Sequence, residues 1–294
     1  MTGLLASILL FLLSVTTLSA QNESINVQND SINVQNDSIH CIPVHSLDQE
    51  NIAFQPGERY RYTMHYTWGN LSSDIGSATV SLDTVRVDGI PAYQVLVYGK
   101  TARFYDIFFK VREDFRSWFT IDGLVPLRFS RDSKEGKYHA TNHYVYHWDA
   151  PEPYIDADLY TTRRGDYHED VPLKPCTFDL PALYYYARNM DFSKVIPGQR
   201  YPMTFVLDED VCDVYFIMYG REKKKVKGLG TVNCIKFAAK LLAGTVFTGE
   251  EDLMIWVSDD ENRIPVYFEA PLLVGHASGR LASATGTKYP LIIE

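Results

Sequence analysis

Large apolar residues alternate with polar residues along much of this chain. In the segment 59–68, every large aromatic or aliphatic residue falls on an even position, whereas Arg, Thr and His fall on odd positions. A period of two residues is typical of a β-strand that buries one face. The even-numbered set is Tyr60, Tyr62, Met64, Tyr66 and Trp68.

Further short runs are rich in β-branched and aromatic residues, among them "AYQVLVYG", "YHATNHYVYHW" and "VYFIMYG". Such side chains pack well on a pleated surface. Pairs of residues that favour tight turns separate several of the runs. They are Asp88-Gly89, Asp122-Gly123 and Glu135-Gly136. Many short strands with regularly spaced turns predict an all-β, mainly antiparallel fold, with a strongly curved or barrel-like sheet.

One helix is expected in the connector that joins the two parts of the sheet. Asp179 is a good N-cap and Pro181 suits the first turn of a helix. The run "ALYYYARNM" follows directly. We expect this helix to pack on the sheet or to close an open end of a barrel.

One phrase occurs twice, as "PGERYRYTM" from Pro56 and "PGQRYPMTF" from Pro197. A glycine follows at the same distance from each proline, at Gly89 and Gly230. Pro-Gly turns before strands are common in β proteins, but several matching features in the same order indicate an internal duplication. The pattern predicts half-repeats 56–148 and 197–285, joined by a connector at 149–196.

A tryptophan in a strand-like run occurs in each proposed half, at Trp118 and Trp256. The duplication predicts that these two residues stand on corresponding strands. It also predicts equivalent places for Tyr60 and Tyr201 in the first strand of each half. We expect all four side chains to point inward, because the larger side chains of each strand fall on the same alternate positions as these residues.

The N-terminus carries the pattern of an export signal. An apolar run from Leu4 to Leu13 precedes the small residues Ser19 and Ala20, as in a secretory signal peptide, and the run is shorter than the roughly 20 apolar residues of a membrane span. We therefore assign residues 1–20 to a signal peptide. Residues 50–294 are expected to form a single β domain.

Residues 21–49 contain the phrase "SINVQND" twice in succession. The segment is polar and low in complexity, which predicts a flexible spacer. Asp30 and Asp37 each precede Ser-Ile, and Asp83 precedes Thr-Val. These tripeptides resemble a short O-glycosylation motif of some Gram-negative lineages, and the sequence leaves their modification open.

The charge and the cysteines restrict the possible partners and the compartment. A formal net charge of −9 argues against nucleic acid or an anionic membrane surface as a partner. Four cysteines suit an oxidising compartment, and their spacing leaves three pairings open. No CxxC motif occurs, so neither a redox dithiol nor a zinc site is indicated. The cysteines are Cys41, Cys176, Cys212 and Cys234.

No motif assigns a catalytic residue, a cofactor or a metal. His139, His143 and His147 are four residues apart, which on a strand separates neighbours by about 13 Å, too far to ligate one ion. The acidic groups at 208–210 and 259–261 are interpreted as solvated turns. A G-x-S-x-G elbow, an H-E-x-x-H pair and a phosphate loop are absent from the sequence.

The abundance of aromatic residues is the remaining signal: 20 Tyr, 15 Phe and 4 Trp. Most are expected in the core, where large rings fill one face of a sheet. On a concave sheet some of them would instead line a cavity for a lipid or a glycan. The candidates for such a lining are Tyr60, Tyr62, Tyr66, Trp68, Trp118 and Trp256.

Four segments resemble the bacterial domain-of-unknown-function family 3108 over about residues 54–285. They are "FQPGERYRYTMHY", "IDGLVPLRF", "FDLPALYYYAR" and "IWVSDDENRIPVYFEAPLLVG". The resemblance implies an exported, β-rich protein of unknown activity, and it assigns no catalytic residue.

These observations predict an exported protein in the periplasm or outer envelope of a Gram-negative bacterium. Once the signal peptide is removed, it is not expected to be an integral membrane protein. The favoured function is non-enzymatic, either binding of a hydrophobic or glycan ligand or a scaffold role in the envelope. The alternative is a periplasmic or secreted hydrolase that acts on glycans. The oligomeric state is left open.

Overall fold

The computed structural model of the protein describes Val44 and residues 47–241, 253–272 and 275–294. The predicted signal peptide, Cys41 and almost all of the predicted spacer lie outside these residues. The assignments of segments 1–20 and 21–49 therefore stay predictions.

The described residues form fifteen strands and two short helices. The first eight strands are β1 (Arg59–Trp68), β2 (Leu71–Val87), β3 (Ile90–Thr101), β4 (Val111–Thr120), β5 (Pro126–Glu135), β6 (Tyr138–His147), β7 (Tyr154–Thr161) and β8 (Gly165–Pro172). The others are β9 (Thr177–Phe178), β10 (Arg200–Leu207), β11 (Asp210–Val226), β12 (Gly230–Leu241), β13 (Leu253–Ser258), β14 (Pro265–Pro271) and β15 (His276–Thr285). The helices are α1 (Arg103–Asp106) and α2 (Leu180–Ala187).

All the strands belong to one sheet, in the order β8-β7-β6-β5-β4-β3-β2-β1-β15-β14-β13-β12-β11-β10-β9. Neighbours are antiparallel, except that β9 and β10 run parallel. Because β1 pairs with β15, two meanders meet in the middle of the sheet. The strands at the two edges are not hydrogen-bonded to each other, so the sheet curls without closing. The predicted all-β, strongly curved fold with one connector helix is confirmed.

Strand β1 has the bounds that the alternation predicts. Tyr60, Tyr62, Met64 and Tyr66 are buried, whereas the intervening polar residues are half-buried or exposed. Trp68 shares their parity but is 48% exposed, because it lies at the end of the strand beside the turn. The period of two therefore identifies the buried face but not where along the strand burial ends.

The two Pro-Gly turns have the same local structure. Gly57 and Gly198 both have positive φ, +94° and +82°, a conformation that glycine adopts without strain. The Gly57 N–H donates to Leu82 O (2.8 Å), and the Gly198 N–H donates to Met218 O (2.9 Å). Leu82 directly follows Ser81, the residue that pairs with Arg59. Met218 likewise directly follows Ile217, which pairs with Arg200. Each turn therefore starts a long antiparallel pair in the same register.

The hairpins β4–β5 and β13–β14 also match in detail. Thr120 N donates to Val125 O and Ser258 N donates to Ile264 O, each at 2.9 Å. The hydroxyl oxygens of the same Thr and Ser accept the returning N–H groups, at 3.0 and 2.9 Å. A bulge follows the tryptophan of each hairpin. These equivalences support the internal duplication, which stays a prediction.

Trp118 and Trp256 stand in the fourth strand of the two meanders, β4 and β13. The expected inward orientation is wrong for Trp118, because its neighbours Ser117 and Phe119 are the buried residues of β4 and Trp118 points the other way. When large side chains occupy both the odd and the even positions of a strand, the pattern does not reveal which face is inside.

The expected inward orientation is also wrong for Trp256. The register aligns Trp256 with Tyr267, Tyr267 with Arg280, and Arg280 with Thr63. Thr63 lies on the outer face of β1, opposite the buried tyrosines, so the whole row faces outward. Trp256 is nevertheless only 3% exposed, because neighbouring side chains cover it on the outer face.

Helix α2 lies in the concavity of the sheet. Asp179 accepts a hydrogen bond from the Ala182 N–H at 2.9 Å, and Pro181 lies in the first turn, as predicted. Ala182, Leu183, Tyr185 and Tyr186 are buried in a core shared with β1–β4 and β9–β15. The helix thus fills the interior of the curl.

A second, smaller core lies under strands β4–β8. It contains Phe115, Phe129, Tyr144 and other residues of those strands. Val206 and Val211, from the hairpin β10–β11, pack against it. The first hairpin of the second meander therefore covers the concave face of the first.

A buried ion pair joins the connector to the first strand. The Arg188 guanidinium contacts both oxygens of the Glu58 carboxylate, at 2.7 and 3.2 Å, and neither side chain is more than 1% exposed. Arg188 also donates to Asn262 O (2.9 Å) and to Ala53 O (3.1 Å). Burial alone would lower the pKa of Arg188, but the Glu58 carboxylate holds it above its usual value. Every one of these contacts joins segments that are distant in sequence.

Polar groups also fix the β10–β11 turn inside the curl. The Asp208 carboxylate accepts from the Arg131 guanidinium at 3.0 Å and from the Asn142 amide at 2.9 Å. The Tyr144 hydroxyl donates to the Asp208 carbonyl at 2.7 Å. The interpretation of the acidic group 208–210 as a solvated turn is therefore wrong for Asp208, which is 7% exposed.

A pair of carboxyl groups lies nearby on β4 and β5. The Ser133 hydroxyl is 2.7 Å from a Glu113 oxygen and 3.2 Å from a Glu135 oxygen, and all three residues are buried. Burial raises the pKa of Glu113 to about 8. Desolvation disfavours the charged carboxylate, so Glu113 keeps its proton at neutral pH.

We expect Glu58→Gln to reduce the free energy of unfolding by about 3–5 kcal/mol, because Arg188 would stay buried without its partner. The matched control is Asp114→Asn, which breaks the exposed pair with Arg116 and should cost less than about 1 kcal/mol. Urea unfolding of both variants measures the difference. Equal losses would contradict a special role of the buried pair.

The double variant Glu58→Gln with Arg188→Met tests the same pair from the other side. Since an apolar residue replaces the uncompensated charge, stability should recover part of the loss of the single variant. No recovery would mean that packing, rather than charge, dominates at this position.

We expect stability to fall as pH rises from about 4.5 to about 8, because Glu113 has a higher pKa in the folded protein than its ordinary value of 4.5. In that range the folded state binds more protons than the unfolded state. Asp179, whose pKa burial raises to about 7, contributes in the same direction. Glu113→Gln should therefore reduce, but not abolish, the loss of melting temperature between pH 5 and pH 8.

The control for this measurement is Glu152→Gln, which changes an exposed carboxyl group. It should leave the pH dependence as in the unaltered protein. If Glu113→Gln loses as much melting temperature as the control, Glu113 is not protonated in the folded state.

Candidate functional site

The six aromatic residues predicted to line a cavity fall in three different places. Tyr60, Tyr62 and Tyr66 are buried inside the curl, Trp68 is exposed at one end of the sheet, and Trp118 and Trp256 are on the outer face. The Tyr62 hydroxyl donates to Pro265 O at 3.0 Å and lies 3.4 Å from the Tyr184 hydroxyl of α2. Tyr62 thus packs against the helix, and the structure does not bring all six residues into one site.

An aromatic and basic cluster occupies the outer face of β11–β14. The Lys224 ammonium lies 3.6 Å from the ring centre of Trp256 and 3.9 Å from that of Tyr267. The Lys236 ammonium lies 5.0 Å from the Trp256 ring, and the Trp256 indole N–H donates to Glu222 at 2.6 Å. Cations over an indole face are attracted by the ring quadrupole. The cluster therefore fixes Trp256 between two lysines.

The strand register assembles this cluster. Lys236 is opposite Trp256, and Trp256 is opposite Tyr267. Glu222 and Lys224 are two residues apart on β11, so they project from the same face. Partial burial lowers the pKa of Lys224. Lys223, Lys225 and Lys227 are exposed, whereas Lys224 is half-buried against the two rings.

A surface depression of about 320 Å³ adjoins the cluster. Its lining residues are Tyr219, Gly220, Arg221, Glu222, Lys236 and Met254. We call it the β11–β12 depression. It therefore combines an aromatic ring, an apolar thioether and groups of both charges on one concave surface.

A bulge in β11 creates this depression. The pairing of β11 with β12 shifts register between Met218 and Gly220, and Gly220 has a φ of +139°. Bulges redirect neighbouring side chains, and here Tyr219 projects outward with 52% exposure. A Cβ at Gly220 would meet no atom within 4 Å, so the floor of the depression is open at this position. Sequence reasoning missed Tyr219 because a bulge leaves no clear signal in the pattern.

Charges around the β11–β12 depression are largely balanced. Arg221 pairs with Asp259 at 2.9 Å, and the Lys236 ammonium is 3.9 Å from a Glu222 oxygen. The depression thus offers both hydrogen-bond donors and acceptors beside an exposed ring, a combination that suits a ligand rich in hydroxyl groups.

The histidine pattern on β6 does not converge on a metal. The predicted strand is confirmed as Tyr138–His147. His139 Nε2 is 2.9 Å from Asp132, and the His147 ring stacks on Tyr154 with centroids 4.7 Å apart. His139 and His147 therefore have separate local partners.

Three other residues do bring potential ligand atoms together on β7 and β8. Ligand atoms of Asp156, Asp158 and His168 lie within 4.8 Å of one another, on exposed or half-exposed side chains. The hydrogen bond to Asp158 raises the pKa of His168. Ion pairing between a charged histidine and aspartates accounts for this arrangement.

The hydrolase alternative requires two carboxyl groups in an open cleft. Glu113 and Glu135 are the adjacent pair described above, but they are 0% and 4% exposed. A substrate has no direct access to them in this conformation.

The cysteines divide into two kinds. Cys176 is disulfide-bonded, whereas Cys212 and Cys234 are free thiols. Burial raises the pKa of Cys212 to about 11 and that of Cys234 to about 12. Both free thiols therefore stay protonated and unreactive at neutral pH.

Among the residues that the structure describes, the helices are too short and insufficiently apolar to cross a membrane.

Two solved structures are similar to this chain, and the first of them supports the fold. A β-barrel-like protein of the domain of unknown function DUF1849, from Brucella abortus, aligns with a TM-score of 0.50 at 9% identity, covering 84% of this chain and 98% of that one. A putative lipoprotein from Parabacteroides distasonis aligns at 10% identity with a TM-score of 0.31, covering 84% of this chain and all of that one. At such low identity the first similarity concerns the fold alone.

No curated protein matches the sequence. The profile of a family described as "Protein of unknown function (DUF3108)" matches residues 61–282, which is most of the chain. The resemblance noted in the sequence is therefore confirmed, and this protein belongs to the DUF3108 family of unknown function.

Proposed function

We propose that this protein is a non-enzymatic binding protein of the bacterial cell envelope, and that it holds a glycan in the β11–β12 depression. The observation that carries the proposal is the exposed ring of Tyr219 beside Arg221, Glu222 and Lys236. An aromatic ring presents a flat apolar face to a sugar, and the charged groups bond to its hydroxyls.

The predicted signal peptide and the disulfide at Cys176 support the proposed location in the envelope. Disulfides persist in oxidising compartments such as the periplasm. The periplasm and the outer envelope of a Gram-negative bacterium both meet this requirement.

The interior of the curl argues for a glycan at the surface rather than a lipid inside. Helix α2 and the rings of Tyr60, Tyr62 and Tyr66 occupy the concavity. A lipid would need to displace this helix and break the contacts of Arg188. The β11–β12 depression is open without such a change.

The glycan-acting hydrolase stays the alternative. Glu113, which keeps its proton at neutral pH, has the property of a general acid. It is fully buried, and the neighbouring Arg131 is fixed by Asp208 of the β10–β11 turn. Hydrolysis would therefore require this part of the structure to open.

We expect Tyr219→Ala to weaken binding of envelope oligosaccharides by about tenfold, which corresponds to about 1.4 kcal/mol. Lys236→Ala should weaken it as well, since a hydrogen-bond donor is lost. Isothermal titration with muropeptides and with lipopolysaccharide core oligosaccharide measures the effect. The matched control is Tyr98→Ala, another partly exposed tyrosine, on β3, which should bind as the unaltered protein does.

Two results would refute the proposal. One is the absence of binding to either oligosaccharide by the unaltered protein, and the other is equal binding by Tyr219→Ala and the Tyr98→Ala control. Release of reducing ends from the oligosaccharides, abolished by Glu113→Gln, would instead support the hydrolase.

A further inference from the structure

The connection between β3 and β4 presents three large apolar side chains to solvent. We call residues 102–110, which include α1, the β3–β4 turn. Phe104, Ile107 and Phe108 are 65%, 79% and 61% exposed. Their spacing of three and four residues places them on one side of a helical turn. The rings of Phe104 and Phe108 pack edge to face, with centroids 5.8 Å apart. The apolar side chains thus form one outward-facing patch.

The other side of the β3–β4 turn is fixed to the sheet. The Tyr105 hydroxyl donates to the Ser73 hydroxyl oxygen at 2.6 Å, and Arg112 pairs with Asp106 at 2.6 Å. The ring of Phe109 packs on Gly136, where a Cβ would fall 2.7 Å from the ring. Because these contacts hold the turn, the three apolar side chains cannot fold inward without breaking them.

Two further exposed apolar side chains flank the neighbouring β1–β2 turn. The Ala102 N–H donates to Ile75 O at 2.9 Å, so the β3–β4 turn lies against the first residues of β2. Trp68 and Leu71, which flank the β1–β2 turn, are 48% and 42% exposed. Apolar side chains from two adjacent connections therefore share one end of the sheet. Several large exposed apolar side chains grouped at one end of a sheet mark a candidate interaction site.

Basic residues border this apolar end. Arg103 and Lys110 are exposed and form no ion pair with the described residues. The one acidic residue of the β3–β4 turn, Asp106, is neutralised by Arg112, whose hydrogen bond lowers the pKa of Asp106 to about 2. The patch is thus apolar at its centre and positive at its rim, although the whole chain is acidic.

We propose that the β3–β4 turn, together with Trp68 and Leu71, docks on an anionic lipid surface. Apolar side chains enter the boundary between headgroups and acyl chains, while Arg103 and Lys110 contact the negative headgroups. A second copy of this chain fits the same patch less well, because the two positive rims would face each other. The docking patch and the β11–β12 depression are separate, so this proposal does not depend on glycan binding.

The experiment is co-sedimentation of the purified mature protein with vesicles of phosphatidylcholine, with and without phosphatidylglycerol. We expect binding that increases with phosphatidylglycerol and decreases with salt. The triple variant Phe104→Ser, Ile107→Ser, Phe108→Ser should lower the apparent affinity by more than about tenfold. The variant Arg103→Ala with Lys110→Ala should lose the dependence on phosphatidylglycerol and salt but keep weak binding.

The matched control is Ile196→Ser. Ile196 is also 61% exposed but precedes Pro197, at the opposite end of the sheet. It should bind vesicles as the unaltered protein does, and circular dichroism should show the same fold for all variants. The proposal is wrong if the unaltered protein fails to bind either vesicle, or if the triple variant binds as well as Ile196→Ser. It is also wrong if the unaltered protein forms a dimer without lipid and the triple variant loses this dimer but still binds vesicles.

Discussion

The buried ion pair between Arg188 and Glu58 is the interaction on which the arrangement of the sheet depends. Glu58 stands directly before β1, Arg188 ends helix α2, and Arg188 also donates to Asn262 in the turn between β13 and β14. One guanidinium thus joins the first strand, the connector and the second meander. Loss of either partner would leave an uncompensated buried charge, so the ion pair favours the arrangement in which the three segments meet.

The hairpin β10–β11 provides the second constraint. Its turn residue Asp208 accepts hydrogen bonds from Arg131 and Asn142, while Val206 and Val211 enter the smaller core. The sheet has two unpaired edges, yet these contacts bring the second meander over the concave face of the first. The curl is therefore held by side chains rather than by closure of the hydrogen-bond ladder, and its interior is filled.

Because the interior is filled, the surfaces available for recognition lie outside it. The β11–β12 depression depends on a bulge that redirects Tyr219, and the apolar patch depends on a turn that Tyr105, Asp106 and Phe109 hold in place. Both are local departures from regular strand geometry. The regular part of the sheet supplies a rigid support, and the irregular parts carry the proposed contacts.

Local patterns in the sequence determined the all-β class, the bounds of β1 and the helix that Asp179 begins, because alternation and capping act over a few residues. They did not determine which face of β4 and β13 is inside, because large side chains occupy both the odd and the even positions of these strands. The predicted inward placement of Trp118 and Trp256 was wrong for that reason. The contacts of Arg188 with Glu58 and of Lys224 with Trp256 were equally hidden. Such pairs are set by strand register and chain path, which only the tertiary structure decides.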